Sequence, residues 1–231
     1  MAAYSTSETT KRRLIMAAGE LFAQNGIKAV TTRTIAEKAG ENLGLIKYHF
    51  GNKDGLLDAV IDYAIHPWTS NPLKEYLAEN ERLFASAGGQ EELVGGLITL
   101  FFEVVFSKER PAWCGMLMFQ ILQRNLPASK KIFDRVAVPI LDTFSSVFRR
   151  ITGDEDSERA FCWIVTLTSP AHLLSIDPHT FKKIHKNKTA PDSILLKLRE
   201  MTIRSALTNL GAHRTRQDSI ILQCGASPQP N

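Results

Sequence analysis

Residues Val30–Asp58 read VTTRTIAEKAGENLGLIKYHFGNKDGLLD, two short helices and the start of a third, each with its own cap. Either Thr31 or Thr32 has a hydroxyl able to accept from the open N–H groups of a first helical turn. Ile35, Ala36 and Ala39 then point inward, and Gly40 stops the helix, because glycine readily takes the left-handed C-cap conformation. Asn42 is the N-cap of a helix running to about His49, which Phe50-Gly51 breaks. Asn52 caps the next, from Lys53 to about Ile65, with Leu56, Leu57, Val60 and Ile61 inside. Upstream, Leu14, Ala18, Leu21 and Phe22 recur at helical spacing and form one apolar stripe. Ser5 and Glu8 have capping-box spacing near that helix's start, and Asn25-Gly26 ends it.

Two helices across a tight Ala39-Gly40-Glu41 turn make a helix-turn-helix, whose second helix can enter a major groove about 12 Å wide. The chemistry of that helix suits the task. Gly44 lets backbone approach bases closely, and Lys47 can donate to guanine O6 or N7. Tyr48 and His49 can donate to phosphate, and either Leu45 or Leu43 can meet a thymine methyl. Thr32 and Arg33 are candidate phosphate contacts at the preceding helix's start. Lys53 adds charge to the free N–H groups of the following helix. The candidate DNA-binding set is therefore Thr31, Thr32, Arg33, Asn42, Gly44, Leu45, Lys47, Tyr48, His49 and Lys53. Read alone, these residues leave open a packing element or a protein-binding adaptor.

Beyond Pro67 and Asn71-Pro72 come longer amphipathic segments: roughly Leu73–Ala85, Gln90–Phe106, Ala112–Asn125, Lys130–Ile151, Ser157–Leu174 and Pro191–Leu210. Gly88-Gly89, Pro111, Pro127, Gly153 and Asp177-Pro178 punctuate them, and no alternating β-branched run competes. The expectation is an all-α chain: a helix-turn-helix module over 1–66, a larger helical domain over 67–216 and a frayed tail over 217–231.

Other classes find little support. The most apolar run, Leu93–Phe106, is broken by Gly95, Gly96 and Glu103, and is shorter than the roughly 20 residues of a bilayer span. The three cysteines, Cys114, Cys162 and Cys224, are widely spaced, which argues against a disulfide framework or structural zinc. With no secretory leader pattern at the N-terminus, a cytoplasmic protein with reduced thiols is expected. No G-x-S-x-G, H-E-x-x-H or P-loop occurs, so no catalytic residue, metal or cofactor is expected and the chain is read as a non-enzyme. The net charge of +4 is compatible with nucleic acid without pointing to it.

The N-terminal stretch resembles the DNA-binding module of the TetR family of bacterial transcriptional regulators. The matching pieces are Leu21-Phe22 with Gly26, Thr31-x-Arg33-x-Ile35-Ala36, Ala39-Gly40, Gly44-x-Ile46 and Tyr48-His49-Phe50-x-x-Lys53. The resemblance implies an all-α homodimer in which each module reads half of a palindromic double-stranded operator. It also implies a C-terminal domain that dimerises and holds a small-molecule effector, whose binding releases a repressor from DNA. Two departures stand out. Glu41-Asn42 replaces the family's usual Val-Ser, bringing a negative charge that either pairs with Lys38 or points away from phosphate. Lys47 stands where the family often has Tyr, and direct readout makes it the main base-reading side chain.

A fainter likeness to one subgroup rests on Leu126-Pro127, Phe133, Val138-Pro139-Ile140 and Arg150-Ile151-x-Gly153. In similar proteins the last two long helices form a four-helix bundle with their copies. Trp163, Leu167, Leu173, Ile194, Leu198, Met201 and Leu207 are the corresponding interface candidates, or else fill the core. For an apolar or aromatic effector the candidate lining is Phe102, Phe106, Trp113, Met116, Phe119, Trp163 and His172, with Met118 beside them. The same residues also suit plain packing.

Overall fold

A computed structural model of the chain describes residues 2–176 and 192–211. The tail over 217–231 and the Asp177-Pro178 breaker lie outside them. Every regular element among the described residues is helical. In chain order they are α1 (Ala2–Asn25), α2 (Thr32–Ala39), α3 (Leu43–Phe50), α4 (Lys53–Thr69), α5 (Pro72–Glu79) and a 3₁₀ turn at Glu81–Ala85. There follow α6 (Ala87–Val105), α7 (Trp113–Gln123), α8 (Ser129–Ile132), a π-helical turn at Phe133–Ala137, α9 (Val138–Thr152), α10 (Ser157–Ile176) and α11 (Asp192–Gly211).

The caps of the helix-turn-helix form where the residues place them. Thr31, not Thr32, is the N-cap of α2, its Oγ1 accepting from the Thr34 N–H at 3.1 Å. Gly40 takes φ 65°, and the Gly40 and Glu41 N–H groups turn back to the Glu37 and Ala36 carbonyls. Asn42 accepts from Gly44 N–H at 2.8 Å and Asn52 from Gly55 N–H at 2.9 Å.

Several expected boundaries move. The helix α1 begins at Ala2, ahead of the start expected near Ser5. α4 runs through Pro67 to Thr69. A proline in a final turn removes one donor, and buried Trp68 holds the turn closed while Thr69 Oγ1 donates to the His66 carbonyl at 2.7 Å. Gly88-Gly89 opens α6 instead of breaking the chain: Ser86 Oγ accepts from Gly89 N–H. A Cβ on Gly89 would stand 2.4 Å from the Leu83 carbonyl oxygen. The single helix expected over Lys130–Ile151 is interrupted by the π-helical turn just before Pro139, which has no N–H to continue an ordinary ladder.

The chain forms two compact units. The first holds residues up to Ser70 together with Phe106–Val138. Its core is Leu14, Ala18, Phe22, Ile35, Ile46, Leu56, Val60 and Ile61, extended by Trp113, Leu117 and Ile121 of α7. The Trp113 ring lies directly on α1, where a Cβ built on Gly19 would stand 2.5 Å from it. Gln120 Nε2 donates to the Ala23 carbonyl at 2.9 Å, tying α7 to the end of α1. Lys131 Nζ reaches both Asp58 and Asp62 of α4 at 2.7 Å. Partial burial pulls that ammonium's pKa down, but the two carboxylates outweigh it and hold the pKa above its ordinary value. Cys114 is buried here, and burial pushes its thiol up to about 11.

The second unit holds residues 71–105, 139–174 and α11. Phe101, Phe144, Phe148 and Trp163 form its aromatic centre, with Trp163 5.7 Å from Phe148 and 6.1 Å from Phe144. The Trp163 Nε1–H donates to the Ala206 carbonyl at 3.1 Å, joining α10 to α11. Arg150 grips Glu81 with two hydrogen bonds of 2.6 and 3.0 Å and stacks over Phe84. Among the described residues, no helix is long and apolar enough to cross a membrane.

Candidate nucleic-acid interface

One buried anchor sets the orientation of α3. Ile46 is 2% exposed and plugs into the core, which turns Leu43, Gly44, Lys47 and Tyr48 outward. These four share a face because positions three and four apart are neighbours on a helix. Tyr48 is 80% exposed, its ring meeting His49 edge-on at 4.8 Å. His49 and Phe50 are half-buried. Of the two leucines offered for a thymine methyl, Leu43 is the outward one and Leu45 is half-buried.

The supporting residues are committed locally. Asn42 spends its side-chain oxygen on the α3 cap, and a Cβ at Gly44 would come within 3.2 Å of that oxygen. Gly44 therefore serves the cap as well as leaving the surface open. Thr31 is exposed, Thr32 is half-buried as the first residue of α2, and Arg33 forms an exposed ion pair with Glu37 at 2.9 Å. To reach a phosphate Arg33 exchanges one carboxylate for another anion, a small cost at so open a site. Lys53 opens α4 with its Nζ 6.0 Å from the Phe22 ring centroid.

The negative charge in the turn is disposed of from an unforeseen direction. Glu41 does not pair with Lys38; its carboxylate turns inward to Arg13 of α1 at 2.7 Å and is 9% exposed. Lys38 instead pairs with Glu20 at 3.2 Å. Two ion pairs thus tie α1 to α2 and to the turn that follows it. Sequence reading missed Arg13; its signal was an acidic residue in the turn needing a cation from another helix.

The residues proposed to line an effector pocket are divided. Phe106, Trp113, Met116 and Phe119 belong to the first unit, and Phe102, Trp163 and His172 to the second. Trp113, Phe102 and Trp163 are buried, Met116 and Phe106 half-buried, and Phe119 and His172 exposed. His172 lies 5.5 Å from the Phe101 ring. Among the described residues, a small cavity bordering Gln90, Ile151 and Leu210 and a larger one within the first unit are lined by none of the seven. Of the interface candidates, Trp163 and Leu167 are core, whereas Leu173 and Met201 are 69% and 68% exposed.

Residues 14–60 match the family model described as bacterial regulatory proteins, tetR family. The HTH-type transcriptional dual regulator CecR of Shigella flexneri is 40% identical over 78 residues, 34% of each chain. An HTH-type transcriptional repressor of Mycobacterium tuberculosis is 41% identical over 56 residues, 24% of this chain and 30% of that one. The matched stretch thus spans about a third of these relatives' length. Among solved structures, the hemolysin II transcriptional regulator HlyIIR superposes with TM-score 0.56 at 18% identity, covering 84% of this chain and 97% of that one. Mycobacterium smegmatis AmtR superposes with TM-score 0.54 at 16% identity, covering 94% of each. That likeness is one of fold. Residues 14–60 thus form a segment similar to the N-terminal domain of bacterial regulatory proteins of the tetR family.

Proposed function

We propose that the protein is a DNA-binding transcriptional regulator, not an enzyme, in which α3 enters the major groove. The observation that carries the reading is the outward face of α3, where Leu43, Gly44, Lys47 and Tyr48 stand clear while Ile46 anchors the helix. Lys47 reads a guanine edge, and Tyr48, Arg33 and Lys53 hold phosphates. The partner is a double-stranded operator, and the protein works in the cytoplasm alongside it.

The regulator acts as a homodimer on a palindromic operator, with two α3 helices about one DNA turn apart. Exposed apolar side chains on α10 (Phe161, Val165, Leu173) and on α11 (Leu196, Met201) support this. Such residues gathered on two long helices suit a copy of the same surface. Repression by occlusion of a promoter is the simplest outcome. An apolar or aromatic effector shifts the equilibrium by preferring the state in which the two reading helices no longer fit the groove spacing.

The test is selection of binding sites from random duplexes, followed by titration at several salt concentrations. A recovered palindrome and a steep fall of affinity with salt are expected. Failure to enrich any duplex overturns the reading.

A further inference from the structure

The first unit contains a groove of about 810 Å³, within the range of small-molecule sites. It lies between the turn after α1, the first half of α4 and the connection from α7 to α8. Its apolar surface comes from Ile27, from Leu57 and Ile61 one turn apart on α4, and from Leu126 and Pro127. The groove is separate from the outward face of α3 and from the residues offered for an effector.

Its charge is uneven. Lys28 and Arg124 also line it, and neither forms an ion pair among the described residues. The Arg124 guanidinium lies over the turn after α1: a Cβ on Gly26 would stand 3.7 Å from Nη1. A third cation, Lys131, is already satisfied by Asp58 and Asp62. Asp54, in the first turn of α4, is the lining carboxylate without an ion pair among the described residues, one anion against two cations. A guanidinium fork accepts a carboxylate through two parallel hydrogen bonds, and the aliphatic surface beside it takes an alkyl chain.

We propose that this groove binds an amphipathic monocarboxylate, its head group held by Arg124 and Lys28 and its tail laid along Leu57, Ile61 and Leu126. A ligand here touches α4, whose first residue is Lys53, and the turn preceding α2. Occupancy therefore acts on the helix-turn-helix unit itself.

The test uses the 231-residue chain without DNA and two probes with ten-carbon alkyl groups, decanoate and decyltrimethylammonium, titrated by calorimetry. Decanoate is expected to saturate a site that binds at least tenfold more tightly than it binds the ammonium probe. Arg124→Gln with Lys28→Gln weakens decanoate at least tenfold, and Ala128→Trp, which fills the groove, removes that site. Melting curves of both variants check that they fold. Ammonium binding as tight as decanoate, unchanged decanoate affinity in either folded variant, or no saturable site overturns the proposal. The DNA reading is tested by duplex titration alone, so the two fail separately.

Discussion

The Arg13 guanidinium stands 2.7 Å from the Glu41 carboxylate, fastening α1 to the turn that launches α3. Arg13→Ala leaves a nearly buried carboxylate without its cation. A loss of about 1 kcal/mol of stability is expected, because Arg13 itself is half exposed and its charge partly screened. Released towards the DNA side, the Glu41 carboxylate also repels phosphate, so affinity falls. The double variant Arg13→Ala, Glu41→Gln recovers the affinity. Thermal melts and fluorescence anisotropy with a selected duplex read the two effects.

Lys47→Ala removes the one cation on the outward face of α3. Affinity for the selected operator should drop by about 1–3 kcal/mol, with preference relaxed at one base pair. Tyr48→Phe should weaken all duplexes alike and leave that preference intact. Competition binding against single-base operator variants separates the two outcomes.

Replacing Gly19 by alanine in α1 normally favours a helix by about 1 kcal/mol. Here the added methyl stands 2.5 Å from Trp113, a buried ring also packed on Tyr63 at 5.9 Å. Overpacking of that kind costs about 1–3 kcal/mol. The expected net result is destabilisation, read as a lower denaturant midpoint. A raised midpoint would refute this packing.

Alkali should weaken the fold through Cys114. The unfolded thiol loses its proton near the ordinary value of 9.0, whereas burial keeps it in the folded protein to about 11. Between these values the native state holds a proton the unfolded state has lost. Stability is therefore complete below about pH 9 and declines as pH rises towards 11. Cys114→Ala should flatten the decline relative to the parent, measured by urea denaturation across that window.

Leu173→Glu places a charge on a side chain that is 69% exposed on α10. If this surface joins two copies, sedimentation velocity should show a monomer whose helical circular dichroism is unchanged. A persisting dimer would place the interface elsewhere.

The helix-turn-helix was legible because its signals are local. Thr31, Gly40, Asn42 and Asn52 each satisfy backbone groups within three or four residues, so the order of residues contains the geometry. Pro67 misled because the burial of Trp68 belongs to tertiary packing, not to the proline. Trp113 was read with an effector domain by its place along the chain, yet its ring covers Gly19. The Arg13–Glu41 pair joins residues 28 apart, and no periodicity announces it. The exposed Leu173 and the core Trp163 lie on the same helix with similar chemistry, and only three-dimensional placement sorts them.

The tether from Gln120 to Ala23 and the cover that Trp113 gives α1 bear on how the protein can be dissected. A fragment ended after α4 would retain every side chain offered to the operator. It would also carry an open apolar wound where Trp113, Leu117 and Ile121 had lain. Such a piece should bind hydrophobic dyes and clump at working concentrations. A sound minimal reader must therefore be spliced, not cut, keeping the later strip of sequence that closes its back.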